Sequence, residues 1–113
     1  MNIATLQKRI LALAKKKGWG TTPDDVIFSE KIALLHGEVA EALQAYRMGG
    51  MQKKDAVAEE FADVLMRVLH ITGIYGIDIP KAVVRKMRVN AKRDWNNDQL
   101  YSDKRKREKR ALQ

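Results

Sequence analysis

The sequence contains no cysteine, which excludes disulfide bonds and thiolate metal sites. No apolar run approaches the ~18 residues of a membrane-spanning helix. The amphipathic N-terminus also lacks the uninterrupted apolar core of a signal peptide. We therefore expect a cytoplasmic protein with no membrane partner.

Basic residues are present in excess, but they are concentrated in one place. The 113 residues carry a formal net charge of +8, and residues 104–110 (KRKREKR) hold six basic residues and one acid. We therefore predict one domain at residues 1–97 and a basic, solvated C-terminal tail at residues 98–113. Attraction of nucleic acid by the tail stays open as an alternative, but a nucleic-acid partner is not expected.

Apolar periodicity predicts four helices and no strand. The first lies between a capping Asn2 and a terminating Gly18, the second spans about 29–48, the third about 54–75, and the fourth begins at Pro80. The short connections favour antiparallel neighbours, which predicts an all-α four-helix bundle. Beyond Trp95 we expect a loop or a short helix. Six residues of the third helix are predicted to face inward: Val57, Phe61, Val64, Leu65, Val68 and Thr72. The apolar stripe predicted for the second helix comprises Ile32, Leu35, Val39, Leu43 (or Ala42) and Tyr46.

Two pairs of acids stand three residues apart within these apolar helices. Glu38 and Glu41 lie on the second helix, and Glu60 and Asp63 lie on the third. Residues three apart share a helix face, and antiparallel packing would bring the two pairs together. Mg²⁺ prefers oxygen ligands and would offset the repulsion of four acids. Solvated acids paired with lysine or arginine are the alternative.

A polar stripe on the fourth helix adds to this pattern. Lys86, Asn90 and Arg93 are spaced four and three apart, beside apolar positions of the same helix. A cation, an amide and a guanidinium can hold phosphate oxygens. A solvated basic face is the alternative interpretation.

These segments together resemble a known family. LLHGEVAEALQAYR, the ExxE and ExxD pairs separated by eighteen residues, and GIDIPKAVVRKMRVNAKR are similar to the MazG-like nucleotide pyrophosphohydrolases of the all-α NTP pyrophosphatase superfamily. The similarity covers roughly residues 29–95. Because the chain holds a single copy of the module, the resemblance also implies a homodimer or homotetramer.

The resemblance implies an enzyme that hydrolyses nucleoside triphosphates, often deoxynucleotides, to the monophosphate and pyrophosphate. Four acids would hold Mg²⁺ (Mn²⁺ is possible) and serve catalysis: Glu38, Glu41, Glu60 and Asp63. The phosphates would be contacted by Lys86, Asn90 and Arg93. A water oriented by a carboxylate or by the metal would attack the α-phosphorus.

Two further residues are candidates for substrate binding. Trp19 follows the first helix, and some relatives that act on pyrimidine deoxynucleotides have a tryptophan near this place. Trp19 is therefore a candidate for stacking on a base, with ordinary packing as the alternative. Lys31 lies about two turns before Glu38 and could reach a phosphate, although a surface lysine is the default.

Other functions remain open from the sequence. A related all-α phosphohydrolase could act on dUTP or on phosphoribosyl-ATP. A different class of protein, a helical module that binds nucleic acid or protein through its basic tail, would need no chemistry at the acid pairs.

Overall fold

A computed structural model describes residues 1–94 and 99–112, with side chains described for 1–94 and 103–112. These ranges contain five α-helices: α1 (Ile3–Lys17), α2 (Phe28–Gly49), α3 (Lys54–Ile74), α4 (Ile79–Lys92) and α5 (Gln99–Leu112). Short 3₁₀ helices occupy Pro23–Asp25 and Gly50–Lys53. No residue of the described ranges is in a strand, which confirms the all-α prediction. Trp95 and the predicted junction at 97/98 lie outside those ranges.

The chain divides into two compact units, Met1–Pro80 and Lys81–Gln113. The first unit holds α1, α2 and α3. Nearly all of α4 belongs to the second unit, together with α5. The addition of α4 to α1–α3 as the fourth member of a bundle stays a prediction.

Both ends of α1 are capped by the residues that the sequence indicates. The Asn2 side chain accepts a hydrogen bond of 2.8 Å from the Thr5 N–H, which satisfies one of the free donors of the first turn. At the other end Gly18 adopts φ 74°, and its N–H bonds to the carbonyls of Ala14 and Lys15. Glycine takes this left-handed conformation without a steric penalty, so the helix ends there.

Helices α2 and α3 form an antiparallel hairpin. They are the most extensively packed pair of elements, and only the 3₁₀ turn Gly50–Lys53 connects them. Helix α2 ends at Gly49 and is followed by Gly50 with φ 62°, one residue beyond the predicted end at about residue 48. Far from this turn, Arg67 on α3 still reaches Glu38 on α2, as an antiparallel register requires.

Helix α1 packs against the C-terminal half of α3. The Gln7 side-chain amide donates a hydrogen bond of 3.0 Å to the Thr72 hydroxyl. At Gly73 an added Cβ would lie 2.8 Å from a Leu11 methyl carbon, so the missing side chain permits the close approach of the two helices. The core of the unit consists of Ile10, Ala14, Ala42, Val57, Leu69, Ile71 and Ile74.

Some positions predicted to face inward are exposed. On α3, Val57 is buried, but Phe61 is 59% exposed and Leu65 is 42% exposed. On α2 the buried residue is Ala42, whereas Val39, Leu43 and Tyr46 are each about half exposed. The predictions for Phe61, Leu65, Val39 and Tyr46 are wrong for the single chain, whereas at the position predicted as Leu43 or Ala42 the buried residue is Ala42. Periodicity finds an apolar side of a helix but does not show whether another element covers it.

The basic tail forms a helix rather than a loop. Helix α5 has 14 residues, and residues 104–112 are exposed, as expected of a solvated segment. None of the helices in the described ranges combines the length and the apolar character needed to cross a membrane.

Candidate metal centre and adjoining pocket

The four predicted acids lie together between α2 and α3. One carboxylate oxygen from each of Glu38, Glu41, Glu60 and Asp63 can be chosen so that all four atoms lie within 4.8 Å of one another. Their burial alternates, because Glu38 and Glu60 are half-buried while Glu41 and Asp63 are exposed. The structure therefore makes one cluster of the two pairs, and the role of its members as metal ligands stays a prediction.

Glu60 supplies an observation that favours a cation. Its Oε2 atom is buried and has no hydrogen-bond partner among the described residues. A buried carboxylate oxygen without a partner is costly, and native structures normally satisfy such an atom. Oxygen ligands suit Mg²⁺, and its opposite ligands lie about 4 Å apart, so oxygens this close fit a shared divalent cation.

Arg67 is part of this cluster, although the sequence analysis did not identify it. Its Nε donates to Glu38 Oε1 at 3.2 Å, and the side chains are 32% and 15% exposed, respectively. One guanidinium offsets one of four carboxylates, which leaves a formal charge of −3. The spacing contained a signal, since Arg67 follows Asp63 by four residues and Glu60 by seven, and therefore shares their face of α3.

A pocket of about 340 Å³ adjoins the acids. Its lining combines charged side chains with apolar and aromatic ones, and comprises Ile10, Trp19, Lys31, Glu38, Asp63, Met66, Arg67 and His70. The pocket thus brings the predicted substrate-binding residues Trp19 and Lys31 to the same cavity as two of the acids. A small ligand with an anionic end and a flat apolar end matches such a lining.

The loop that carries Trp19 is fixed by two side chains of the pocket. The Lys31 ammonium donates to the Trp19 carbonyl at 3.2 Å, and the buried His70 donates from Nε2 to the Gly20 carbonyl at 2.7 Å. The rings of Trp19 and His70 are tilted by 59° with centroids 6.4 Å apart. The Trp19 side chain remains 44% exposed, so much of the indole can receive a ligand.

The same loop contains a hydrogen-bonded turn after Gly20. The Asp25 carboxylate accepts hydrogen bonds from the Thr22 hydroxyl and from the backbone N–H of Thr21. These two bonds, the first with the larger effect, lower the pKa of Asp25 below its usual value. The turn returns the chain toward α2, where Lys31 reaches back to Trp19.

The predicted phosphate contacts belong to the second unit. Lys86 is exposed and Asn90 is half-buried on α4. Arg93 lies one residue beyond the end of α4, and its N–H bonds to the Asn90 carbonyl at 3.3 Å. The participation of these three residues in the site stays a prediction.

Comparison with known proteins agrees with this arrangement. Residues 29–95, more than half of the chain, match the MazG nucleotide pyrophosphohydrolase domain. The chain is also 39% identical over 95 residues to a dATP/dGTP diphosphohydrolase of Salmonella phage PMBT28. That match covers 82% of this chain and 28% of the phage protein. No solved structure matches the chain. The matched segment contains all four clustered acids, and the chain belongs to the MazG nucleotide pyrophosphohydrolase domain family.

Proposed function

We propose that the protein hydrolyses nucleoside triphosphates to the nucleoside monophosphate and pyrophosphate. The observation that carries the proposal is the cluster of four carboxylates, in which a buried oxygen of Glu60 lacks a partner. Glu38, Glu41, Glu60 and Asp63 would hold a divalent cation, Mg²⁺ or alternatively Mn²⁺. Membership of the family supports the same reaction class.

The chain's own residues account for binding and orientation. Glu38 and Asp63 belong to both the cluster and the pocket, so a nucleotide in the pocket has its phosphates beside the acids. Bound Mg²⁺ supplies charge neutralisation for the phosphate oxygens and activation of water. The water oxygen attacks the α-phosphorus, the bond from that phosphorus to the oxygen bridging it to the β-phosphate breaks, and pyrophosphate leaves. The proton released by the water passes to one of the carboxylates.

Trp19 and Lys31 would bind the two ends of the nucleotide. The half-exposed indole of Trp19 offers a stacking surface for a base. Lys31 would turn from the Trp19 carbonyl to a phosphate, or hold the loop while other cations contact the phosphates. We assign the further phosphate contacts to Lys86, Asn90 and Arg93.

Deoxynucleoside triphosphates are the substrate class that we propose. The phage relative is described as acting on dATP and dGTP, which favours these purine deoxynucleotides over dUTP and over phosphoribosyl-ATP. Stacking on an indole tolerates any base, so the ranking of bases depends on the remaining pocket residues.

A nucleotide panel tests the proposal. The protein is incubated with each NTP, each dNTP, dUTP and phosphoribosyl-ATP in the presence of Mg²⁺, and pyrophosphate and monophosphate are measured. We expect release from deoxynucleotides that requires the divalent cation. Absence of pyrophosphate with every compound contradicts the proposal, and preference for dUTP or phosphoribosyl-ATP selects the related activity.

Variants connect the activity to the acids. Glu41→Gln and Asp63→Asn should abolish release, because each removes a negative ligand with little change in volume. Glu59→Gln is the matched control, because Glu59 is an exposed acid next to Glu60 but is not a member of the cluster. If Glu59→Gln loses as much activity as the other two variants, the loss does not show that catalysis depends on the four clustered acids.

We further propose that the chain assembles as a homo-oligomer. Exposed apolar side chains recur on α2 at Val39, Leu43 and Tyr46, and on α3 at Phe61 and Leu65. Residues three and four apart share a helix face, and exposed apolar faces mark association sites. Size-exclusion chromatography with light scattering should give a molar mass that is a multiple of the 12.9 kDa chain. The double variant Phe61→Ser with Leu43→Ser should have the mass of the monomer. A monomeric parent contradicts the proposal.

A further inference from the structure

Arg67 is the one cation that forms a salt bridge with the clustered acids within the described residues. It lies on α3 one turn after Asp63 and lines the pocket beside that residue and Glu38. Arg67 therefore contacts the acid cluster, which attracts a cation, and also lines the cavity in which an anionic ligand would lie.

The bond to Glu38 uses only part of the guanidinium. Nε donates at 3.2 Å, and a guanidinium carries four further N–H donors at its two terminal nitrogens. The side chain is 32% exposed at the pocket, so it is not enclosed by its partner. Such a group can exchange a carboxylate for a phosphate, because the same fork of donors fits both.

Arg67 and a divalent cation would therefore compete for the carboxylate of Glu38. A divalent cation held by the cluster needs the negative charge of Glu38, which Arg67 neutralises in the free protein. The cation and the guanidinium would also repel each other, because both are positively charged and both would contact Glu38. A polyphosphate entering the pocket would offer Arg67 a new anionic partner and release Glu38. Metal binding and nucleotide binding would therefore support each other.

We propose that Arg67 exchanges partners during binding, from Glu38 in the free protein to a phosphate of the nucleotide in the loaded site. The inference rests on the proposed function for the identity of the phosphate ligand. Arg67 thus opposes cation binding in the absence of nucleotide and favours nucleotide binding afterwards. A purely structural arginine would not have these opposite effects.

Two measurements on Arg67→Gln test the exchange. Calorimetric titration of the nucleotide-free protein with Mg²⁺ should show binding about fivefold tighter than in the parent, because the competing cation is gone. The KM of the preferred deoxynucleotide should rise about tenfold or more, because a charged contact to phosphate is lost. Arg67→Lys keeps the charge but not the planar fork, so its Mg²⁺ affinity should return toward that of the parent while its KM stays raised.

Arg47→Gln is the control, because Arg47 is exposed in the last turn of α2 and does not line the pocket. The exchange is overturned if Arg67→Gln leaves the Mg²⁺ affinity and KM unchanged, or if it weakens both. If Arg67→Gln does not fold, Arg67→Lys decides: it keeps the charge but not the planar fork, so a parental KM for this variant overturns the bidentate phosphate contact. A parent without pyrophosphate release contradicts the proposed function, whereas the Mg²⁺ titration still tests the competition for Glu38.

Discussion

His70 on α3 donates a hydrogen bond of 2.7 Å to the carbonyl of Gly20, in the loop after α1. The imidazole is buried, and the loop residue next to its acceptor is Trp19. The position of the pocket's aromatic side chain therefore depends on a core residue that lies fifty positions after Gly20 in the sequence.

Replacement of His70 by Phe should destabilise the protein and impair nucleotide binding. The ring volume is largely kept, but the part-buried carbonyl of Gly20 loses its donor, which costs about 1–3 kcal/mol. Urea unfolding measures this loss, and KM should rise while kcat changes less. His36→Phe is the control at an exposed histidine of α2. A parental free energy of unfolding for His70→Phe would show that the bond does not hold the loop.

A methyl group at Gly20 should displace the same loop. Gly20 has φ 94°, and an added Cβ would lie 2.5 Å from Val26 Cγ1. Gly20→Ala should therefore lower the free energy of unfolding by more than the ~1–2 kcal/mol of left-handed strain alone. Gly18→Ala isolates that strain, because Gly18 has φ 74° and no atom within 4 Å of an added Cβ. Equal losses in the two variants would refute the predicted clash.

Neutralising one acid should stabilise the protein in the absence of metal. Glu60→Gln removes a charge from the cluster and should raise the free energy of unfolding in EDTA by about 1 kcal/mol. Glu38→Gln should gain less, because it also loses the ion pair with Arg67. In the parent, Mg²⁺ at a hundred times its dissociation constant should add about 2.7 kcal/mol, and Glu60→Gln should lose most of this increment. Thermal melting with and without Mg²⁺ measures both effects, and a parent that does not respond to Mg²⁺ argues against the metal site.

Loss of the Trp19 ring should weaken nucleotide binding without unfolding the protein. Stacking on an aromatic side chain is worth about 1–3 kcal/mol per base, so Trp19→Ala should raise KM about five- to a hundredfold. In a Trp95→Phe background Trp19 is the remaining tryptophan, and added nucleotide should quench its fluorescence. Trp19→Phe should retain most of the affinity. Unchanged fluorescence at saturating nucleotide would place the base elsewhere.

Local patterns in the sequence predicted much of this fold. The caps at Asn2 and Gly18, the end of α2 at Gly50 and the convergence of the acid pairs follow from turn chemistry and helical spacing, which are properties of short segments. The burial of particular side chains was harder to predict. Phe61 continues an apolar stripe and is exposed, because burial depends on which neighbour covers that side of the helix.

Long-range contacts give Arg67 and His70 roles that local patterns in the sequence do not reveal. Arg67 gains its importance from Glu38 on another helix, and His70 from Gly20 in a distant loop. Neither partner can be recognised from local spacing. The extent of α5 was also missed, because a run of basic residues carries no apolar stripe to indicate a helix.

The hairpin of α2 and α3 has a consequence for how such a protein can change during evolution. One continuous stretch, residues 28–74, contributes all four clustered acids, whereas Trp19 comes from outside it. Fusion, duplication or transfer of that stretch carries the whole acid cluster with it. The loop before α2 can meanwhile change in sequence without replacing any of the four acids, so the surface that Trp19 offers and the acid cluster can diversify independently.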